Sequence, residues 1–263
     1  MWIRALLLTV LLSPCVNAAK FAILTEQWPP MNYQERGVFK GLSVEVVQAL
    51  QKDLKDTTPI QIMTWRNAYL QATSTPNVLL FSTVKTEMRS KLFTFVGPLA
   101  KSSINLYSLK KYPIPIETLE QAKHVKRIGV YYSAVEEQRL IEMGFKNLVS
   151  VRTPVKIAHL LLRGRIDLWC NINITYRDIL KQLGVSADQV VKKLTIDESP
   201  LYLAFSKGTP AETIERWRKA LIKLHQSGEF EKIHQKWLPG EEVPGFVEQQ
   251  GVLKGPTDQV DKN

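Results

Sequence analysis

Cysteine is almost absent: Cys15 and Cys170 are the two in 263 residues. That excludes a disulfide-stapled miniprotein and a four-thiolate metal site. Histidine is nearly as scarce, with His124, His159, His225 and His234 scattered and no H-E-x-x-H among them. No G-x-G-x-x-G, P-loop or G-x-S-x-G occurs, so the usual dinucleotide, nucleotide and serine-hydrolase signatures are missing. Long apolar runs are lacking as well. The stretch from Ala5 to Leu12 is far shorter than the ~20 residues a membrane-spanning helix needs. Acidic residues are in deficit, 25 against 35 Lys+Arg, for a net charge of +10. Such a balance suits nucleic acid, an anionic membrane surface or an anionic small molecule. What is present is ordinary: 44% hydrophobic residues are enough for a folded core and exclude disorder as the general state.

The first residues narrow the choice. Arg4 supplies a positive start, Ala5 to Leu12 an apolar run, and Val16-Asn17-Ala18 a small-residue cleavage pattern. This is the layout of a secretory signal peptide over residues 1–19, with the mature chain beginning at Ala19 or Lys20. A lipid on Cys15 is disfavoured by Pro14. Cleavage removes Cys15, so Cys170 has no internal disulfide partner and the exported fold must stand on its core. Export also argues against a nucleic-acid partner, and losing Arg4 lowers the charge only from +10 to +9.

Strand and helix patterns then alternate. Phe21–Thr25, Ile60–Met63, Val78–Phe81, Ile128–Tyr132 and Asp167–Cys170 read as short buried strands. Leu42, Val46, Val47, Leu50 and Leu54 fall at helical spacing with Ser43 as a cap, and Ile214, Trp217, Leu221 and Leu224 form a second stripe. Ser133 with Glu136 reads as an S-x-x-E capping box. Thr153-Pro154 and Thr209-Pro210 read as caps followed by a first-turn proline. Repeated strand–helix units predict mostly parallel sheets covered by helices on both faces. From 241 to 263 the chain is polar and aperiodic, which predicts a disordered tail. Cys170, in an apolar strand, reads as an inert buried thiol.

Several motifs occur in a characteristic order: TEQWPPMNY (25–33), GLSVEVV (41–47), FSTVKTEMR (81–89), FTFVGP (93–98), GRIDLW (164–169) and LYLAFSKGTP (201–210). Together they resemble the family 3 extracellular solute-binding proteins, the periplasmic receptors of polar amino-acid ABC importers. The resemblance spans roughly residues 20 to 240. It implies an α/β, two-lobed periplasmic-binding-protein fold of type II, with two mixed sheets flanked by helices and joined by a two-strand hinge. Lobe 1 is expected over 20–108 plus 196–240 and lobe 2 over 109–195. The implied partners are a small carboxylate-bearing ligand and an ABC permease in the inner membrane. No cofactor, metal or catalytic residue is implied, and a monomer is expected.

The same resemblance assigns residues. Arg89 matches the arginine that grips an α-carboxylate, a task for which a planar fork of donors is suited. Ser82, Thr83 and Val84 stand where hydroxyls and backbone amides meet that carboxylate, and Val84 can offer only its backbone. Ser133 and Ala134, at a helix start, add amide donors. Trp28 matches the aromatic that covers the ligand. Glu26 and Glu198 lie at element ends near the expected cleft and are candidates for a ligand ammonium. One departure stands out: where such receptors carry an acidic residue shortly after the G-R-x-D strand, this chain has Cys170-Asn171-Ile172-Asn173. Asn171 can accept a hydrogen bond but brings no charge. Two alternatives share the fold: a sensing module for a signalling partner, and an exported dehydratase-like enzyme with a cleft carboxylate as acid or base.

Overall fold

The computed structural model describes residues 20–246. The signal-peptide reading of 1–19 and the tail reading beyond residue 246 lie outside the described residues. The chain opens with strand β1 (Ala22–Glu26), a hairpin of β2 (Tyr33–Glu35) and β3 (Val38–Lys40), helix α1 (Leu42–Leu54), β4 (Ile60–Met63) and α2 (Trp65–Ser74). Then follow β5 (Val78–Val84), the single turn α3 (Glu87–Ser90) and β6 (Phe93–Ala100). Next come β7 (Ser103–Leu109), α4 (Leu119–Lys123), β8 (Ile128–Tyr131), α5 (Val135–Glu142), β9 (Leu148–Val151), α6 (Pro154–Leu162), β10 (Leu168–Ile172), α7 (Tyr176–Gln182) and β11 (Val190–Glu198). The chain closes on β12 (Leu201–Ser206), α8 (Ala211–Gln226) and α9 (Glu229–Trp237).

Two five-stranded sheets result, ordered β4-β1-β5-β12-β6 and β11-β7-β10-β8-β9. Each is mixed. In the first, β1 runs parallel to β4 and β5 while β12 runs antiparallel to β5 and β6. In the second, β8 runs parallel to β9 and β10 while β7 runs antiparallel to β10 and β11. The fold is therefore a two-lobed α/β arrangement, and the chain changes sheet twice. Those changes fall at 101–102 and 199–200, not near 108 and 196 as the family resemblance implies. The reason is that 103–109 and 190–198 pair with each other as the antiparallel edge of the second sheet. At the two crossings Ser199 N donates to Ser102 O at 2.7 Å, and Ser102 Oγ donates to Ser199 O.

The helices dock as their apolar stripes require. Leu42, Val46, Val47 and Leu50 of α1 and Ile214, Trp217, Leu221 and Leu224 of α8 are buried in one continuous core. Each such aliphatic side chain contributes about 1.5–3 kcal/mol when removed from water. Cys170 lies fully buried in β10, where burial pushes its thiol pKa well up, as an inert core thiol requires.

Three caps differ from expectation. Gly41, not Ser43, precedes α1, and Ser43 sits buried in its first turn. Pro210, not Thr209, precedes α8, and Thr209 turns its hydroxyl to Ser206 Oγ at 3.3 Å. Ala134, not Ser133, is the cap residue of α5; Ser133 lies one place earlier at φ +60°. Its amide is held by Glu137 Oε2 at 2.6 Å, so the carboxylate that reaches back is Glu137 and Glu136 is released for another use. Thr153 does precede α6 with Pro154 in the first turn.

Candidate functional site

Carboxyl ends of strands from both sheets point toward the space between the lobes, the usual ligand position in open α/β sheets. From lobe 1, β1 delivers Glu26 at its last residue and β5 delivers Ser82 and Val84. The short α3 places Arg89, and the first residue of α2 is Trp65. From lobe 2, β8 ends in Tyr131, α5 opens with Val135 and Glu136, and β10 ends in Ile172. With Trp28 and Ala134, these side chains line one chamber of about 20 Å³. That is room for about one water, so an amino-acid-sized ligand enters only as the lobes part.

Arg89 is the centre of the chamber and is 1% exposed. Its Nη1 donates to Val84 O at 3.2 Å, and its Nη2 donates to Gln138 Oε1 at 3.1 Å across the cleft. The guanidinium carbon lies 5.2 Å from the Trp65 ring and 5.3 Å from the Tyr69 ring, a contact that fixes a planar cation. Nε is buried without an acceptor, and so is the Ser82 hydroxyl. Buried polar atoms left unpaired are costly, and here the pair faces the same chamber. Ser82 at φ +60° and Ser133 at φ +60° put strained backbone on the two opposing walls.

Two carboxyl groups share the chamber with that arginine. Glu26 is 8% exposed and accepts from the Tyr131 hydroxyl at 2.8 Å, a bond from one lobe to the other. Burial pushes its pKa up to about 8; the Tyr131 bond and Arg89 oppose the rise, and Glu136 adds to it. Glu136 is 3% exposed, and burial raises its pKa to about 7 against its own backbone amide and Arg89. Both groups are thus poised to give up a proton near neutrality if a cation is brought to them. Trp65 Nε1 donates to Ser133 O at 2.9 Å and makes a further link between the lobes.

Of the residues singled out from the sequence, the structure brings Glu26, Trp28, Ser82, Val84, Arg89 and Ala134 around this chamber. It leaves four others outside the lining. Thr83 is buried with its hydroxyl on Leu80 O at 3.1 Å. Asn171 is buried with its amide on Thr175 Oγ1 and Ile172 O. Ser133 contributes its carbonyl to Trp65 and Gln138. Glu198, at the end of β11, is exposed near the crossing. Trp65, Tyr131, Glu136, Gln138 and Ile172 were not singled out. Glu136 is the instructive omission, because the S-x-x-E spacing assigns it to a cap that Glu137 fills. Among the described residues no group of three His, Cys, Asp or Glu is placed to hold a metal ion, and no helix is long and apolar enough to cross a membrane.

A profile of the bacterial extracellular solute-binding proteins, family 3, matches residues 22–240. The arginine-binding extracellular protein ArtP of Bacillus subtilis (strain 168) is 24% identical over 220 residues, 81% of this chain and 84% of that protein. Among solved structures, a histidine kinase sensor domain with similarity to periplasmic binding proteins superposes with a TM-score of 0.76. It is 21% identical, over 86% of this chain and 98% of that one. The arginine-, lysine-, histidine-binding protein ArtJ of Geobacillus stearothermophilus superposes with a TM-score of 0.73 at 18% identity, over 85% and 97%. At these identities the structural likeness speaks for the fold.

Proposed function

The chain belongs to the bacterial extracellular solute-binding proteins, family 3, and on that premise we propose that it is a periplasmic receptor closing on an amino acid. The ligand is a zwitterion whose α-carboxylate lies on Arg89 and whose ammonium faces Glu136 and Glu26, and it is handed to an ABC permease. One observation carries the reading: a guanidinium 1% exposed, with Nε unpaired, shares a chamber with two carboxyls that titrate near neutrality. This supplies the acidic partner that Cys170-Asn171-Ile172-Asn173 lacks. Arg89 then forms a bidentate pair with the carboxylate, taking the place of the Gln138 amide oxygen. The cationic end turns Glu136 into a carboxylate. Arg89 belongs to lobe 1 and Glu136 to lobe 2, so one small ligand ties the lobes together, and hinge closure follows. The arginine-binding relatives are compatible with a cationic side chain, for which Glu26 offers a second acidic partner.

The test is mass spectrometry of whatever small molecule the purified protein releases on denaturation, followed by calorimetric titration of the same compound. The expected result is an unmodified α-amino acid that binds tightly. Recovery of a compound without a carboxylate ends the proposal. A second reading rests on the same two carboxyls: a group with a pKa near neutrality beside an arginine is also an arrangement for proton transfer to a bound acid. If the titrated compound is recovered chemically changed, the site is an enzyme; if it is recovered intact, it is a receptor.

A further inference from the structure

Past Tyr131 the space between the lobes continues into an alcove of about 370 Å³ lined by Thr64, Arg66, Asn67, Tyr131, Tyr132 and Arg152. Arg66 belongs to the first turn of α2 in lobe 1, and Arg152 follows β9 in lobe 2. No Asp or Glu contributes to the lining. Neither guanidinium has an ion-pair or hydrogen-bond partner among the described residues. Four other arginines are matched, Arg127 to Asp167, Arg139 to Asp197 and Glu142, Arg177 to Glu241, and Arg218 to Glu215. Among the described residues Arg36, Arg163 and Arg165 stand alone on the surface and do not line the alcove. The adjoining groove of about 880 Å³ shares Thr64, Tyr131 and Arg152 with the alcove and carries Glu26, Glu35 and Asp178. Lys181 also lines that groove, so its charges are mixed, whereas the charged side chains of the alcove are both cationic.

Arg66 and Arg152 are both exposed, so solvent screens the repulsion between these two cations, which grows as closure of the lobes brings like charges together. An oxyanion seated between them converts that repulsion into two charge-assisted contacts, one from each lobe, and guanidinium forks suit carboxylate and phosphate oxygens. The partial positive charge at the start of α2 acts in the same direction. We propose that this alcove is an oxyanion site that bridges the lobes, separate from the chamber around Arg89, and that it takes a carboxylate or phosphate group. The group is either a free inorganic anion or the distal end of a ligand whose amino-acid head occupies the chamber.

Inorganic phosphate is titrated by calorimetry into the wild type, Arg66→Ala and Arg152→Ala at constant ionic strength, with chloride as the control. A second arm compares γ-L-glutamylglycine with its C-terminal amide, which differ only in the distal carboxylate. With a free anion as occupant, phosphate binds the wild type and its affinity falls tenfold or more in each variant. With a ligand end as occupant, phosphate gives no heat, but the free acid binds at least tenfold more tightly than the amide and the preference vanishes in each variant. The proposal is overturned if phosphate binding is absent or unchanged in the variants and the acid-over-amide preference is likewise absent or unchanged. The phosphate arm involves no amino acid, so its failure is distinguishable from failure of the proposed function.

Discussion

Arg89 carries more of the account than any other side chain, and its isolation makes it testable. Because it is buried between two aromatic rings, removing it strands a ligand carboxylate in a water-poor chamber. Breaking such a pair costs about 3–5 kcal/mol, several hundredfold or more in affinity at ~1.4 kcal/mol per decade. Arg89→Ala should show that loss by calorimetry with the ligand recovered from the protein. Arg89→Lys should regain little, since one ammonium cannot span two carboxylate oxygens. The acids make a separate prediction. Glu26 and Glu136 have folded values of about 8 and about 7 against an ordinary 4.5. Between pH 4.5 and those values the folded protein holds protons that the unfolded chain has released. Their stability contribution is therefore complete below pH 4.5 and is lost as pH rises through about 7 and 8. Melting temperature without ligand should fall from pH 5 to pH 9, and Glu26→Gln should flatten that slope; an unchanged slope contradicts the burial. At this scale the sequence motifs nominate Arg89, Trp28, Ser82 and Glu26, and these four do line one chamber. Glu136 and Gln138 are hidden because nothing local distinguishes neighbouring glutamates at the start of a helix. Only the left-handed turn at Ser133 decides which one caps and which one faces the chamber.

Elements place those side chains through short connections, and the loop between β1 and the hairpin is the most constrained. Trp28 N donates to Asn32 O at 2.6 Å and Asn32 Nδ2 to Glu26 O at 2.8 Å, while Ser43 N reaches Met31 O at 2.9 Å. Gly41 makes that approach possible: at φ +117°, a Cβ there would lie 2.4 Å from Met31 O and 2.8 Å from Asn32 N. Gly41→Ala should therefore cost ~1–3 kcal/mol, each kcal/mol lowering the melting temperature by about 2–4 °C in a protein of this size. Gly144→Ala is the control, since at φ +84° it shares the conformational strain but meets nothing within 4 Å. Calorimetric melts in which the two variants match would remove the steric part of the argument. The principal strands and the stripes of α1 and α8 are legible because their apolar periodicity is strong. Helix α2 escapes, its buried face being Trp65, Ala68 and Ala72, too small and too short to stand out. The caps move by a residue or two for a related reason. Ser43 and Thr209 are favourable cap types, but the backbone turns at Gly41 and Pro210, and side-chain propensity yields to it.

At the scale of the molecule, the two sheets are built on one plan, three parallel strands with an antiparallel pair, and only two short crossings join them. The order of the sequence motifs announces two lobes. The crossings themselves are misplaced because the pairing of 103–109 with 190–198 joins segments far apart in the chain, which local pattern does not register. Among the described residues three hydrogen bonds span the cleft: Tyr131 to Glu26, Trp65 to Ser133, and Arg89 to Gln138. All three must break or rearrange when the lobes part, and a ligand joining Arg89 to Glu136 replaces the last of them with stronger, charged contacts. A ligand that binds only the closed form shifts the population toward it by about 2.7 kcal/mol at a hundredfold excess over Kd. The central claim is that one amino-acid-like ligand closes the two lobes through Arg89. It is tested most directly by small-angle X-ray scattering of the wild type and Arg89→Ala, each with and without the recovered ligand at a concentration that saturates the wild type. The account predicts a smaller radius of gyration for the wild type with ligand and no change for Arg89→Ala. Saturated wild type with unchanged scattering, or Arg89→Ala compacting equally, would contradict it.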